Sequence, residues 1–209
     1  MTTNEMTVTK ALSELKLLDK RIHRSIDEND FIGYTVGKNK KVNHTDIGEF
    51  VENVESKYES TKDLITRRNK VKSAIVTSNA VTEVEIAGEN YTVAEAIERK
   101  TSIEYEHSLL NGMKRGLSLA SMEVDKINEQ VKHKMDDLLD SMFSNENKKN
   151  NQGMQEFIDS YNNENQAKLV DPLEIKKEIE KLETSIEDFL AEVDEVLSVS
   201  NATTIITID

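Results

Sequence analysis

The 209-residue chain has no cysteine and no tryptophan, a single proline, seven glycines, and only five tyrosines and five phenylalanines. Without cysteine there is no disulfide framework and no thiolate metal site. So little proline and glycine, beside 32% charged residues, argues for long helices over a loop-rich enzyme or an all-β sandwich. No run approaches the ~20 apolar residues of a membrane span, and the polar start MTTNEMTVTK lacks a signal-peptide core. A cytoplasmic protein with no membrane partner is therefore expected. His23, His44, His107 and His133 are scattered, and none belongs to an HExxH-type pair. There is no GxxxxGK[ST] phosphate loop, no GxGxxG and no EF-hand spacing; the segment Tyr34–Lys38 matches only half of a phosphate loop. No catalytic residue, metal ligand or cofactor is assigned.

What is abundant is acid, unevenly placed. The net charge of −13 opposes general binding to nucleic-acid phosphates. Residues 1–80 carry a balance of +2 and residues 81–209 one of −15. Lys10, Lys16, Lys20, Arg21, Arg24, Lys38, Lys40 and Lys41 form the early basic subset.

The apolar residues repeat at helical spacing. Val8, Ala11, Leu15, Leu18 and Ile22 predict an amphipathic helix over about Thr9–Glu28. After a loop containing FIGYTV, Thr45 or Asp46 caps a second helix reaching about Thr77. VTEVEI and YTV around Gly88 read as a β-hairpin. Thr92 and Glu95 then form a capping box, in which hydroxyl and carboxylate satisfy reciprocal backbone donors. The third helix should run from Val93 to Met142, with Ile103, Leu110, Leu117, Val124, Val131 and Leu138 every seven residues. At 1.5 Å per residue that is roughly 75 Å, too long to stand without partners along it. The pair Asn111-Gly112 could mark a break, but the small-residue row Gly112, Gly116, Ala120 suits a close helix crossing, and a continuous helix is expected. An Asn-rich tract between Ser144 and Gln166 reads as a mobile tip with a short amphipathic piece at Met154–Tyr161. Asp171, Pro172 and Glu174 open a last helix, whose seam runs Ile175, Ile179, Leu182, Ile186, Phe189, Val193 and Val196.

An internal echo joins Ser78–Ile86 to Ser200–Ile208. Each follows a long helix, so each reads as a corner in which Asn turns left-handed and a β-branched strand begins. The last strand, about 203–208, is expected to join the hairpin of about 81–93. The fold class predicted is mainly α, long antiparallel helices in a coiled-coil-like bundle with one small β-sheet. A single elongated domain is expected, with 1–110 and 167–209 as the bundle and 111–166 as a protruding helical arm.

One polar constellation interrupts the apolar pattern. Arg67, Arg68 and Lys72 lie on or near the seam of the second helix, and Lys100, Glu104 and His107 near the stripe of the third. One reading is an ion-pair network, Arg68 with Glu104 or Glu95, that sets helix register. The other is a pocket in which Arg67, Arg68, Lys72, Thr92, Lys100 and His107 hold a small phosphate-bearing ligand near a helix N-terminus.

The strings ITRRNKVKSAIVTSNAVTEVEIAGENYTVAEAIERK and DPLEIKKEIEKLETSIEDFLAEVDEVLSVSNATTIITID resemble a group of bacterial and large-phage proteins, the septicolysin-like helical family. The resemblance implies a long-helix fold with a small sheet and a phage origin, hence the host cytoplasm. It carries no catalytic residues, and no apolar hairpin here supports pore formation. The function expected is that of a non-enzymatic homo-oligomer sequestering a small anionic ligand such as a nucleotide signal; the alternative is a structural or protein–protein interaction scaffold.

Overall fold

A computed structural model describes residues 4–37, 41–42, 45–142 and 151–208. The element order is β1 (Asn4–Thr7), α1 (Val8–Asp27), β2 (Lys41–Val42), β3 (Thr45–Asp46), α2 (Ile47–Val81), β4 (Glu83–Ile86), β5 (Glu89–Thr92), α3 (Val93–Met142), α4 (Asn151–Asn165), α5 (Ile175–Thr203) and β6 (Ile205–Ile208). The protein is mainly helical with small antiparallel sheets. Two compact units divide the chain, Met1–Thr101 with Phe189–Asp209, and Ser102–Asp188. Residues 144–150 of the expected Asn-rich tip, and Lys38, Lys40 and His44, lie outside the described residues.

Helix starts follow their caps. Thr7 accepts the Lys10 amide, and Asp46 accepts the Gly48 amide at 2.8 Å. Helix α3 runs unbroken through Asn111-Gly112. The start of α5 departs from expectation: the helix begins at Ile175, three residues beyond Pro172. Glu174 adopts a left-handed φ of 51°, and the Asp171 carboxylate reaches over that turn to accept the Ile175 amide at 2.9 Å.

In the first unit α1 and α2 pair antiparallel. Their seam holds Val8, Ala11, Leu15, Leu18, Val71 and Ile75, joined by Met6, Ile206 and Ile208 from the strands. Ala11 and Val71 are fully buried; small side chains there let the two backbones approach. Beside the α1–α2 connection, a Cβ on Gly33 would sit 2.3 Å from Val42 Cγ1, so only glycine fits.

The expected three-stranded sheet does not form. Strand β6 pairs with β1, Thr7 opposite Ile205 and Asn4 opposite Ile208, and β4 pairs with β5 separately. A four-residue strand such as NEMT, with only Met6 buried, offers too short an alternation to be read as a strand, and so the partner of β6 was hidden. The corners also end differently. Asn79 and Asn201 are helical, and neither is left-handed. Each helix continues three residues past its serine, and the amides of Thr82 and Thr204 bond back to Ser78 and Ser200, both at 2.9 Å.

The echo proves to be half of a larger repeat. The strand-to-helix entries β1–α1 and β5–α3 correspond, Thr7-Val8 to Thr92-Val93 and Ala11 to Ala96. Val8, Ala11, Val93 and Ala96 are all buried. The registers agree, since Thr7 lies opposite Ile205 and Thr92 opposite Glu83. The Thr204 carbonyl accepts the Val8 amide at 3.0 Å, and the Thr82 carbonyl accepts the Val93 amide at 2.8 Å. Thus α2–β4 with β5–α3 repeats α5–β6 with β1–α1. One strand pair is closed by the turn Ala87-Gly88, both at positive φ as a two-residue hairpin requires; the other joins the two ends of the chain.

Candidate functional site

Two of the three cations singled out in α2, Arg67 and Arg68, face α1. Elements consecutive in the chain are usually neighbours in space, and α2 lies antiparallel against α1, so Arg67 and Arg68 meet the acids of α1. Arg67 grips Glu14 with both forks of the guanidinium, Nε to Oε1 at 2.8 Å and Nη2 to Oε2 at 3.4 Å. Arg68 donates to Asp19 at 3.2 Å. The expected partners Glu104 and Glu95 are replaced by Asp19 for this reason. About two turns away along the same seam, Thr61 is buried and donates to the Lys57 carbonyl at 2.8 Å. Its single proton is thereby used, so the Ser25 hydroxyl donates to Thr61 across the helices at 2.6 Å. Lys72 is exposed.

Thr92 is occupied by capping. Its hydroxyl donates to the Glu95 carboxylate at 2.9 Å and accepts the Glu95 amide at 3.2 Å, while its own amide donates to the same carboxylate at 2.8 Å. The Thr92 amide and hydroxyl hold the Glu95 carboxyl below the ordinary glutamate range. Lys100 pairs with Asp194 of α5. His107 lies in the second unit, exposed on α3. Arg67 and Arg68 therefore share one helix seam, whereas Thr92 is used in the cap of α3 and Lys100 in a pair between α3 and α5.

A cluster that the sequence did not reveal surrounds Arg99. Its guanidinium lies 4.7 Å from the Phe189 ring centroid and 5.5 Å from that of Tyr91, and it donates to Glu89 at 3.2 Å and to the Tyr91 hydroxyl. Tyr91 in turn donates to Glu89 and packs edge-on against Phe189, 5.8 Å between centroids. The Tyr91 hydroxyl bond, then Arg99, lowers the Glu89 pKa, and burial followed by that same bond raises that of Tyr91. Tyr91 and Arg99 are one strand-to-helix junction apart, but the residue completing the stack, Phe189, comes from α5 and carries no sequence mark linking it to them.

Two grooves flank the repeated corners. One, about 570 Å³, runs between α2 and β6 and carries Ser73, Thr77, Ser78 and Thr207 with Lys70 as its charged residue. The other, about 390 Å³, runs between α5 and β4 and carries Ser200 and Thr203 with Glu83 and Glu195. They correspond position by position under the repeat, Ser78 to Ser200 and Ser73 to Glu195, and share Thr82 and Thr204. The same shell thus carries a cation in one half and carboxylates in the other.

Among the described residues no three His, Asp or Glu side chains converge as a metal site, and no helix is long and apolar enough to cross a membrane. No protein-family model matches the chain, and no curated protein or solved structure is similar enough to count as a match, so function is argued from the side chains themselves.

Proposed function

We propose that this protein is a non-enzymatic, self-associating helical scaffold of the cytoplasm whose partner surface is a helix face. The observation that carries the reading is the use already made of the basic side chains. Arg67 and Arg68 are neutralised by Glu14 and Asp19 of α1, and Lys100 by Asp194 of α5. A phosphate arriving at α2 would have to displace two carboxylates, losing charge-assisted hydrogen bonds to gain others of the same kind. The test combines a thermal-shift panel of nucleotides and inorganic phosphate with light scattering of the full chain. The scaffold reading expects no shift with any phosphate ligand and a mass above that of the monomer at micromolar concentration. A saturable shift overturns it.

A second reading has one observation in its favour, the hydroxyl-lined groove beside β6 with Lys70 as its cation. A small anionic ligand seated there, rather than at Arg67 and Arg68, would stabilise the wild type in the same panel. Lys70→Ala would remove that shift and leave the helical circular dichroism unchanged.

A further inference from the structure

In the second unit, Ser102–Asp188, α3 and α5 run antiparallel. Lys114 pairs with Glu183, and Asn128 exchanges hydrogen bonds with the backbone of Ala167 at 3.1 and 2.8 Å. The side of α3 turned inward holds Ile103, Leu110, Val131 and Met135, all buried. About a third of a turn away lies a second row, Tyr105, Leu109, Gly112, Gly116 and Leu119, that no described part of the chain covers. Tyr105, Leu109 and Leu119 are 79%, 57% and 61% exposed. A Cβ placed on Gly112 or Gly116 would meet nothing within 4 Å.

We propose that this face is a homodimer interface, in which α3 of a second copy crosses antiparallel over Gly112 and Gly116. The proposal rests on the scaffold reading and names its surface. The row is self-complementary when the two copies run antiparallel. With Gly112 set opposite the partner's Gly116, Leu109 meets the partner's Leu119, and Tyr105 meets the partner's Glu123, whose carboxylate can accept the phenol. The charges beside the row choose the same direction. Glu104 and Lys126 flank it on one side near opposite ends. An antiparallel copy brings each Glu104 within a turn of the partner's Lys126, whereas a parallel copy puts the two Glu104 side chains, and the two Lys126 side chains, on opposite edges of the contact and pairs neither with the other. Lys126 now folds back onto Glu123 at 3.3 Å, a solvent-exposed pair that is easily exchanged. Two glycines at the crossing remove the side chains that would hold the backbones apart, so the flanking leucines and tyrosines can interdigitate. A face mapping onto itself through a two-fold axis is what an isologous dimer needs.

Sedimentation equilibrium of the full chain at micromolar concentrations tests this. The wild type should be a dimer, and Gly112→Leu with Gly116→Leu should associate at least ~10-fold more weakly because the crossing is filled. Leucine favours helix over glycine, so circular dichroism should show no loss of fold. Glu104→Lys and Lys126→Glu should each weaken the dimer and together restore it. Because the chain lacks cysteine, an oxidised mixture of Gly112→Cys and Gly116→Cys proteins should cross-link, and Gly112→Cys alone should not. A monomeric wild type, or self-cross-linking of Gly112→Cys alone, overturns the proposal. A dimer indifferent to the leucines also overturns it while leaving the scaffold reading standing; a phosphate-induced thermal shift instead counts against that reading.

Discussion

The two halves of the repeat place different chemistry at the same position. In the first, Glu14 of α1 meets Arg67 of α2; in the second, the corresponding residues are Arg99 of α3 and Phe189 of α5. An ion pair in one half thus stands where a cation lies on an aromatic ring in the other. The entries differ as well. Thr92 is followed by Glu95, which closes a capping box, whereas Thr7 is followed by Lys10, whose side chain cannot return a hydrogen bond to the Thr7 amide. One backbone plan therefore tolerates either solution, provided the buried pairs Val8/Val93, Ala11/Ala96 and Val71/Val193 are kept. Packing defines the repeat, and the polar residues decorate it.

The sharpest way to break the comparison is at Phe189, buried beneath Arg99 and Tyr91. Phe189→Ala should destabilise by ~3–5 kcal/mol in urea denaturation, far more than removal of Arg67 at the matching position. Next come Ile208→Ala and Ile86→Ala, equivalent and equally buried, at ~2–5 kcal/mol each. Their signatures should differ. Loss at Ile208 frees the ends of the chain, seen as faster amide exchange in β1 and β6, while β4 and β5 stay tied by their turn. If both variants protect the same amides equally, the asymmetry between an open and a closed strand pair has no dynamic meaning.

A smaller effect sharpens it. Lys10→Glu should supply α1 with the box that α3 already has and raise stability by ~0.5–1 kcal/mol. That gain should depend on pH. Glu95 has a folded pKa below its unfolded one, so its contribution is present above the ordinary glutamate value and is lost as pH falls through the folded value. The carboxylate that Lys10→Glu introduces should behave likewise, so the difference in Tm between this variant and wild type should shrink on acidification. A difference constant with pH would mean that the box has not formed.

Much of this architecture was legible in the chain. Helix α3 runs from Val93 to Met142 as the heptad row and the Thr92–Glu95 box indicate, and Asp46 caps α2. The errors share a cause, which is that local patterns do not name distant partners. The β6 strand could be read from its β-branched residues, but its mate in NEMT could not, and the match between Thr7-Val8 and Thr92-Val93 gains meaning only when both are seen to enter buried helices. The spacing along α2 places Arg68 as a charge on a seam; which acid it meets depends on α2 lying against α1. Phe189 looked like one more apolar seam residue, because nothing along the chain marks an aromatic as the floor of a cation site.

The central claim is that Arg67 and Arg68 serve the fold and not a ligand. A double-mutant cycle of Arg67→Gln and Glu14→Gln, melted with and without saturating nucleotide, tests it most directly. The account predicts a coupling of about 1 kcal/mol, modest because the pair is partly exposed, and the same melting temperatures with nucleotide as without. A coupling near zero, together with a nucleotide-induced rise in melting temperature that Arg67→Gln abolishes, would contradict it.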